Sequence, residues 1–205
     1  MIKELSTPMS PAVAPVAGEN RTAWVGSLGI VLVGSALVAV CARVSLPLYF
    51  TPVPLSLAPF AVLVLGLVLR PRLAAATLCT YLAEGALGLP VFASTPIAMG
   101  GLAHLLGPTG GYLLSYPLAA ALIAFLNRRL GARIGRGFAA AALSAAAGSL
   151  VILCCGGLWL AALTHASAES AVKLAILPFL PGDALKVVAA AALAAGWVRI
   201  RRSVA

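Results

Sequence analysis

Apolar positions in this chain come in runs of about 17 to 25 residues, the length that spans a bilayer as a helix. The first run is Trp24 to Ala42, between Arg21 and Arg43. The second, Pro54 to Leu69, is entered through Thr51-Pro52-Val53-Pro54 and closed by Arg70-Pro71-Arg72. The third, Leu73 to Val91, carries Glu84 in its middle. A stretch rich in Gly and Pro, Phe92 to Gly111, follows as a loop. Tyr112 to Leu126 is the fourth run and Phe138 to Leu163 the fifth. A mixed segment, His165 to Leu180, predicts a short interfacial helix, and Pro181 to Val198 is the last run. The pattern predicts six spanning helices in an all-α chain.

Composition agrees. The 205 residues are 62% hydrophobic and 9% charged, where a soluble domain carries about a quarter charged residues. An integral membrane protein is the class that fits.

The net charge of +9 raises nucleic acid as a partner, but the basic residues sit in small groups between the runs, which is the mark of membrane topology. With the N-terminus inside, the inner segments hold Lys3, Arg21, Arg70, Arg72, Arg128, Arg129, Arg133, Arg136, Arg199, Arg201 and Arg202, and the outer ones only Arg43 and Lys173. That bias places both termini in the cytoplasm. Residues 1–20, with three prolines and no apolar core behind Lys3, read as a flexible cytoplasmic tail and not a signal peptide. Residues 21–202 then form one transmembrane domain. The long outer loop is uncharged apart from His104. Irregular backbone at membrane depth must be buried in protein or line a cavity, so the outer loops either fold over a substrate pocket or pack on helix ends. Cys41, Cys79, Cys154 and Cys155 fall inside apolar stretches and read as small hydrophobes, with no metal-ligand spacing.

Two places carry candidate chemistry. Asp183 and Lys186 stand three apart in "PFLPGDALKV", on one face of a helix. Pro181 suits its first turn, and Asp183 beside it is favoured by the macrodipole. Ala190 and Ala194 continue the stripe with small side chains. Either this is a local pair, with Asp183 capping the helix, or both groups face a cavity, as ionisable residues inside membranes usually do. A carboxylate accepts N–H donors, and an ammonium binds a carbonyl or carboxylate. Glu84 lies in "YLAEGALGLPVF", about 18 Å past Arg72 at the helical rise, with Tyr81 one turn back and Gly85 and Gly88 allowing close neighbours. It faces Lys186, stands protonated, or bonds to a neighbouring helix. In the first run, Ser35 and Ala39 make a small-x-x-x-small pair. No phosphate-binding loop, H-E-x-x-H or G-x-S-x-G is present. Ser149 and His165 lie about 24 Å apart along one helix, too far for a hydrolase pair. An intramembrane enzyme using Glu84 or Asp183 stays open as an alternative, as does a purely structural membrane protein.

The motifs "TPVPLSLAPFAVLVLG", "YLAEGALGLPVF", "LLGPTGGYLLSYPLAAALIAFL" and "PFLPGDALKV" stand in an order and at separations that resemble the BioY family, the biotin-specific S components of energy-coupling factor (ECF) transporters. The resemblance runs from about Trp24 to Val198. It implies a six-helix S-component-like bundle in the bacterial inner membrane, capture of biotin from outside, and no cofactor, metal or catalytic residue. Another small vitamin is the alternative substrate. It also implies a transmembrane coupling protein and two cytoplasmic ATPases as partners, besides membrane lipid, with no nucleic acid. Asp183 and Lys186 would contact the ligand. Gly107, Thr109, Gly110 and Tyr112 of "GPTGGY" would help close the pocket, with Glu84, Tyr81 and Phe92 beside it. Family members often carry a polar residue such as Gln after "TPVP", where Ala58 stands here. Biotin has a ureido ring with two donors and an acceptor, an apolar bicycle and a carboxylate tail, which suits an apolar pocket with few convergent polar groups.

Overall fold

A computed structural model describes residues 17–49, 51–94 and 100–203. Among these, helices dominate: α1 (Ala17–Arg43), α2 (Ala58–Val68), α3 (Pro71–Ala86), α4 (Leu102–Leu106), α5 (Gly110–Arg133), α6 (Phe138–Thr164), α7 (Ala168–Ala175) and α8 (Leu180–Ser203). Two short strands, β1 (Ser45–Leu46) and β2 (Leu55–Ser56), pair antiparallel with Ser45 opposite Ser56.

The runs and helices correspond, with differences that have local causes. The helix α1 starts inside the expected tail, at Ala17; residues 1–16 lie outside the described residues. The second run yields a helix of only 11 residues. Pro52 and Pro54 remove amide donors and push the residues before them toward extended backbone, so the lead-in pairs as β2 instead. Arg70 is extended before Pro71, which opens α3. The helix α5 is longer than its run and keeps Pro117 inside it. Part of the expected loop forms α4; residues 95–99 lie outside the described residues. The interfacial helix forms as α7, capped by Ser167 accepting from the Ser170 amide and braced by a 2.6 Å Lys173–Glu169 ion pair one turn apart.

Three described helices are long and apolar enough to cross a membrane: Trp24–Arg43, Gly110–Arg133 and Phe138–Thr164. Large apolar side chains such as Trp24, Val33, Leu118, Leu158, Leu185 and Leu193 face outward, as lipid contact requires and water would penalise. This is a membrane protein.

The interior has two parts. One cluster is built from Leu63, Leu67, Ile123, Ala141, Ala145, Ala190 and Ala191. Here Ile123 is held between Gly66 and Gly148, where an added Cβ would come within 2.8 and 2.3 Å of its side chain. Ala190 is buried and Ala194 packs beside it, so the small stripe on α8 serves close helix packing. The other cluster, with Leu78, Tyr81, Phe92, Tyr112, Tyr116, Ile152 and Phe179, is richer in aromatic rings. It lies where α1, α3 and α6 end and α2, α5 and α8 begin. The arginines at 70, 72, 128, 129, 133, 136, 199 and 201 belong to the opposite end.

Candidate functional site

The aromatic end of the bundle encloses a hollow of about 580 Å³ between atoms, its open mouth included. Rings of Tyr81, Tyr112, Tyr116, His104 and Phe179 line it, with aliphatic walls from Val53, Leu113, Ile152 and Leu153. Its polar groups are few: Ser56, Thr109, Asp183 and Lys186, besides the tyrosine hydroxyls and the His104 ring.

Asp183 and Lys186 are placed by the start of α8. The Asp183 amide donates to Phe179 O at 2.8 Å, which sets the first turn. Its carboxylate is 6% exposed as a residue. Lys186 Nζ donates to Oδ1 at 3.1 Å, and Ser149 Oγ, from the middle of α6, donates to Oδ2 at 2.9 Å. Both side chains of the ion pair are almost wholly enclosed, at 11% and 8% exposure. The two readings of the pair therefore hold together: it is a local pair, and it faces the cavity. Each carboxylate oxygen keeps lone-pair capacity and the ammonium keeps two N–H donors, so the couple can still accept from one ligand group and donate to another.

"GPTGGY" divides by function. Thr109 and Tyr112 line the hollow. Gly107 and Gly110 are not among its lining residues. Gly107 instead accepts from Trp159 Nε1 at 2.9 Å, and a Cβ on Gly110 would sit 1.9 Å from Leu105 O. Tyr112 lies against Gly156, where a Cβ would stand 2.2 Å from its ring, and its hydroxyl donates to Ala175 O at 2.6 Å. The glycines thus bring α5 and α6 together so that Tyr112 reaches the cavity.

"YLAEGALGLPVF" divides likewise. Tyr81 lines the hollow and donates to Val91 O at 3.3 Å. Phe92 packs behind it, edge-on to Tyr81 with centroids 5.4 Å apart. Gly85 makes the seat for Phe92, since a Cβ there would come within 2.0 Å of that ring. Gly88 meets no neighbour; it supplies the turn, at φ +92°. Lys186 pairs with Asp183 and not with Glu84, which accepts from the buried Ser35 of α1 at 2.5 Å. Of the two partners open to it, the neighbouring helix is the one it takes.

The sequence profile of the BioY family matches residues 13–203. The chain belongs to the BioY family. Its relatives include a protein named probable biotin transporter BioY in Pyrococcus horikoshii, 39% identical over 159 residues, 78% of this chain and 88% of that one. The biotin transporter BioY of Thermotoga maritima is 36% identical over 160 residues, with the same coverage. A crystal structure described as the S-component for biotin from an ECF-type ABC transporter superposes with a TM-score of 0.77 over 92% of this chain and 95% of that one. At 23% identity that likeness shows the shared fold alone.

Several residues of this BioY cavity escaped the sequence reading. Tyr116 is one turn past Tyr112 on the same face of α5, and Phe179 one turn before Asp183, so helical spacing was enough to find both. Ser149 gave no such signal. Its partner lies 34 residues away on another helix, and only packing of α6 on α8 reveals it.

Proposed function

We propose that this chain is the substrate-binding membrane subunit of a vitamin importer and that its ligand is biotin. The observation that carries the reading is the enclosed Asp183–Lys186 couple at one side of an aromatic hollow. Biotin's ureido ring and carboxylate offer the donors and acceptors such a couple can engage, and its bicycle suits the rings around it. Tyr81, Thr109 and Tyr112 contact the ligand alongside that couple. Phe92, Gly107 and Gly110 shape the walls, and Glu84 fastens α3 to α1 from outside the hollow. The names of the relatives, biotin transporters, support the choice of vitamin.

In this reading α1, α2, α3, α5, α6 and α8 cross the bacterial inner membrane as one domain. Both termini are cytoplasmic, the cavity opens outward, and the arginine-rich end meets the cytoplasm. The assembly then needs a transmembrane coupling protein and two ATPases, since this chain carries no phosphate-binding loop of its own. Lipid surrounds it, and nucleic acid has no part.

The test is a titration of the purified protein with biotin beside thiamine, riboflavin and folate. Saturable binding of biotin at least about 100-fold tighter than the others, near 2.8 kcal/mol, is expected; equal affinities would refute the assignment. Ser149→Ala keeps the ion pair but removes a donor to a buried carboxylate, a bond of about 1.5–3 kcal/mol. Biotin affinity should fall about tenfold in calorimetry, while Ser144→Ala, whose hydroxyl donates only to Ala140 O in its own helix, should leave it unchanged.

A further inference from the structure

A second hollow adjoins the first. It holds about 670 Å³ between atoms, counting its open mouth, at the same end of the bundle. Ala93 and His104 line both hollows. The His104 ring is buried and stacked on Phe92, with centroids 5.0 Å apart and planes 26° from parallel, so it stands as part of the wall between them. The outer hollow is bounded by the turn after α3, and Arg43 at the end of α1 lines it. Arg43 is exposed, and its guanidinium donates to Pro90 O. That bond uses one of five N–H donors and neutralises no charge.

The other two cations at this end, among the described residues, are each paired with a carboxylate. Lys173 is paired with Glu169, and Lys186 with Asp183. Glu84 is turned to Ser35. Among the described residues, the lining of the outer hollow includes no carboxylate. Arg43 is therefore, among the described residues, the charged side chain that lines the outer hollow, and no carboxylate pairs with it directly. A concave surface of one sign next to low-dielectric walls concentrates the opposite ion and raises its association rate.

We propose that the outer hollow is a vestibule that gathers the substrate as a carboxylate anion at Arg43 before it passes His104 into the inner cavity. The vestibule acts on the approach and not on the settled complex, so its effect falls on the association rate and its salt dependence. This rests on the biotin reading above.

The test compares biotin with its uncharged carboxamide in stopped-flow binding, followed by tryptophan fluorescence, in nanodiscs of zwitterionic lipid. With the unaltered protein, biotin association should slow several-fold between about 20 and about 300 mM salt as screening grows, and the carboxamide should not respond. Arg43→Gln should slow biotin at low salt about 5- to 10-fold, to near the rate of the carboxamide, and leave the carboxamide within about twofold. Arg43→Lys should retain most of the rate. If Arg43→Gln leaves biotin association unchanged, or slows acid and amide equally, the vestibule is wrong and the arginine serves only the turn at Pro90. If the unaltered protein binds biotin with no salt dependence, the vestibule fails while the biotin reading stands. Absence of biotin binding to the unaltered protein removes both.

Discussion

Asp183→Ala should abolish measurable biotin binding and weaken the fold at once. The substitution leaves the Lys186 ammonium nearly enclosed without its counter-charge, and leaves the Ser149 hydroxyl without its acceptor. Breaking one side of a buried pair costs about 3–5 kcal/mol, which is roughly 100- to 5,000-fold in affinity if it falls on binding. A loss of binding alone would not separate a ligand contact from a collapsed site. The double variant Asp183→Leu with Lys186→Met separates them. Replacing both members of a buried pair by apolar groups of similar size is often neutral or stabilising, so its thermal midpoint should return to within a few degrees of the unaltered protein. Its biotin affinity should not return. A double variant that binds biotin at normal affinity would show that the couple only packs α8, and the site assignment would have to move elsewhere in the hollow.

Sequence carried much of this architecture because the bilayer imposes simple rules. Apolar runs and basic punctuation located α6 almost to the residue, Phe138–Thr164 against an expected Phe138 to Leu163. Where proline chemistry competes with apolarity, length alone misled, as at α2. The lining of the hollow was legible in its local parts: Asp183 and Lys186 one turn apart, Thr109 and Tyr112 at the start of α5. What stayed hidden depends on pairs distant in the chain. Ser35 with Glu84, Ser149 with Asp183 and Gly111 with Trp159 are each made by helices crossing in space, and no periodicity along one helix reports them. The glycines of "GPTGGY" show the same limit. Their positions invited a ligand role, yet a Cβ added at Gly110 or Gly111 would meet Leu105, Trp159 and Cys155.

The second large effect is expected at one of those glycines. Gly111→Ala would place its Cβ 2.2 Å from Trp159 Cβ and 2.7 Å from Cys155 O. Neither atom is the far end of a flexible side chain, so the clash cannot be relieved by a rotamer change. The helices α5 and α6, the most extensively packed pair in the molecule, would have to part. Their separation would also strain the bond from Trp159 Nε1 to Gly107 O and withdraw Tyr112 from the cavity. Overpacking of this kind costs about 1–3 kcal/mol and occasionally more. With one of the two clashing atoms on the backbone, the upper end applies: a midpoint lowered by roughly 6–12 °C and biotin affinity reduced with it. Gly26→Ala on α1 is the control, because an added Cβ there meets nothing within 4 Å. Alanine in a helix should leave that midpoint unchanged or raise it by the equivalent of about 0.5–1 kcal/mol. Thermal unfolding of both variants in the same detergent decides the matter. Equal midpoints would mean that small size at position 111 is not what joins α5 to α6, and that Tyr112 owes its place in the hollow to its bond with Ala175 instead.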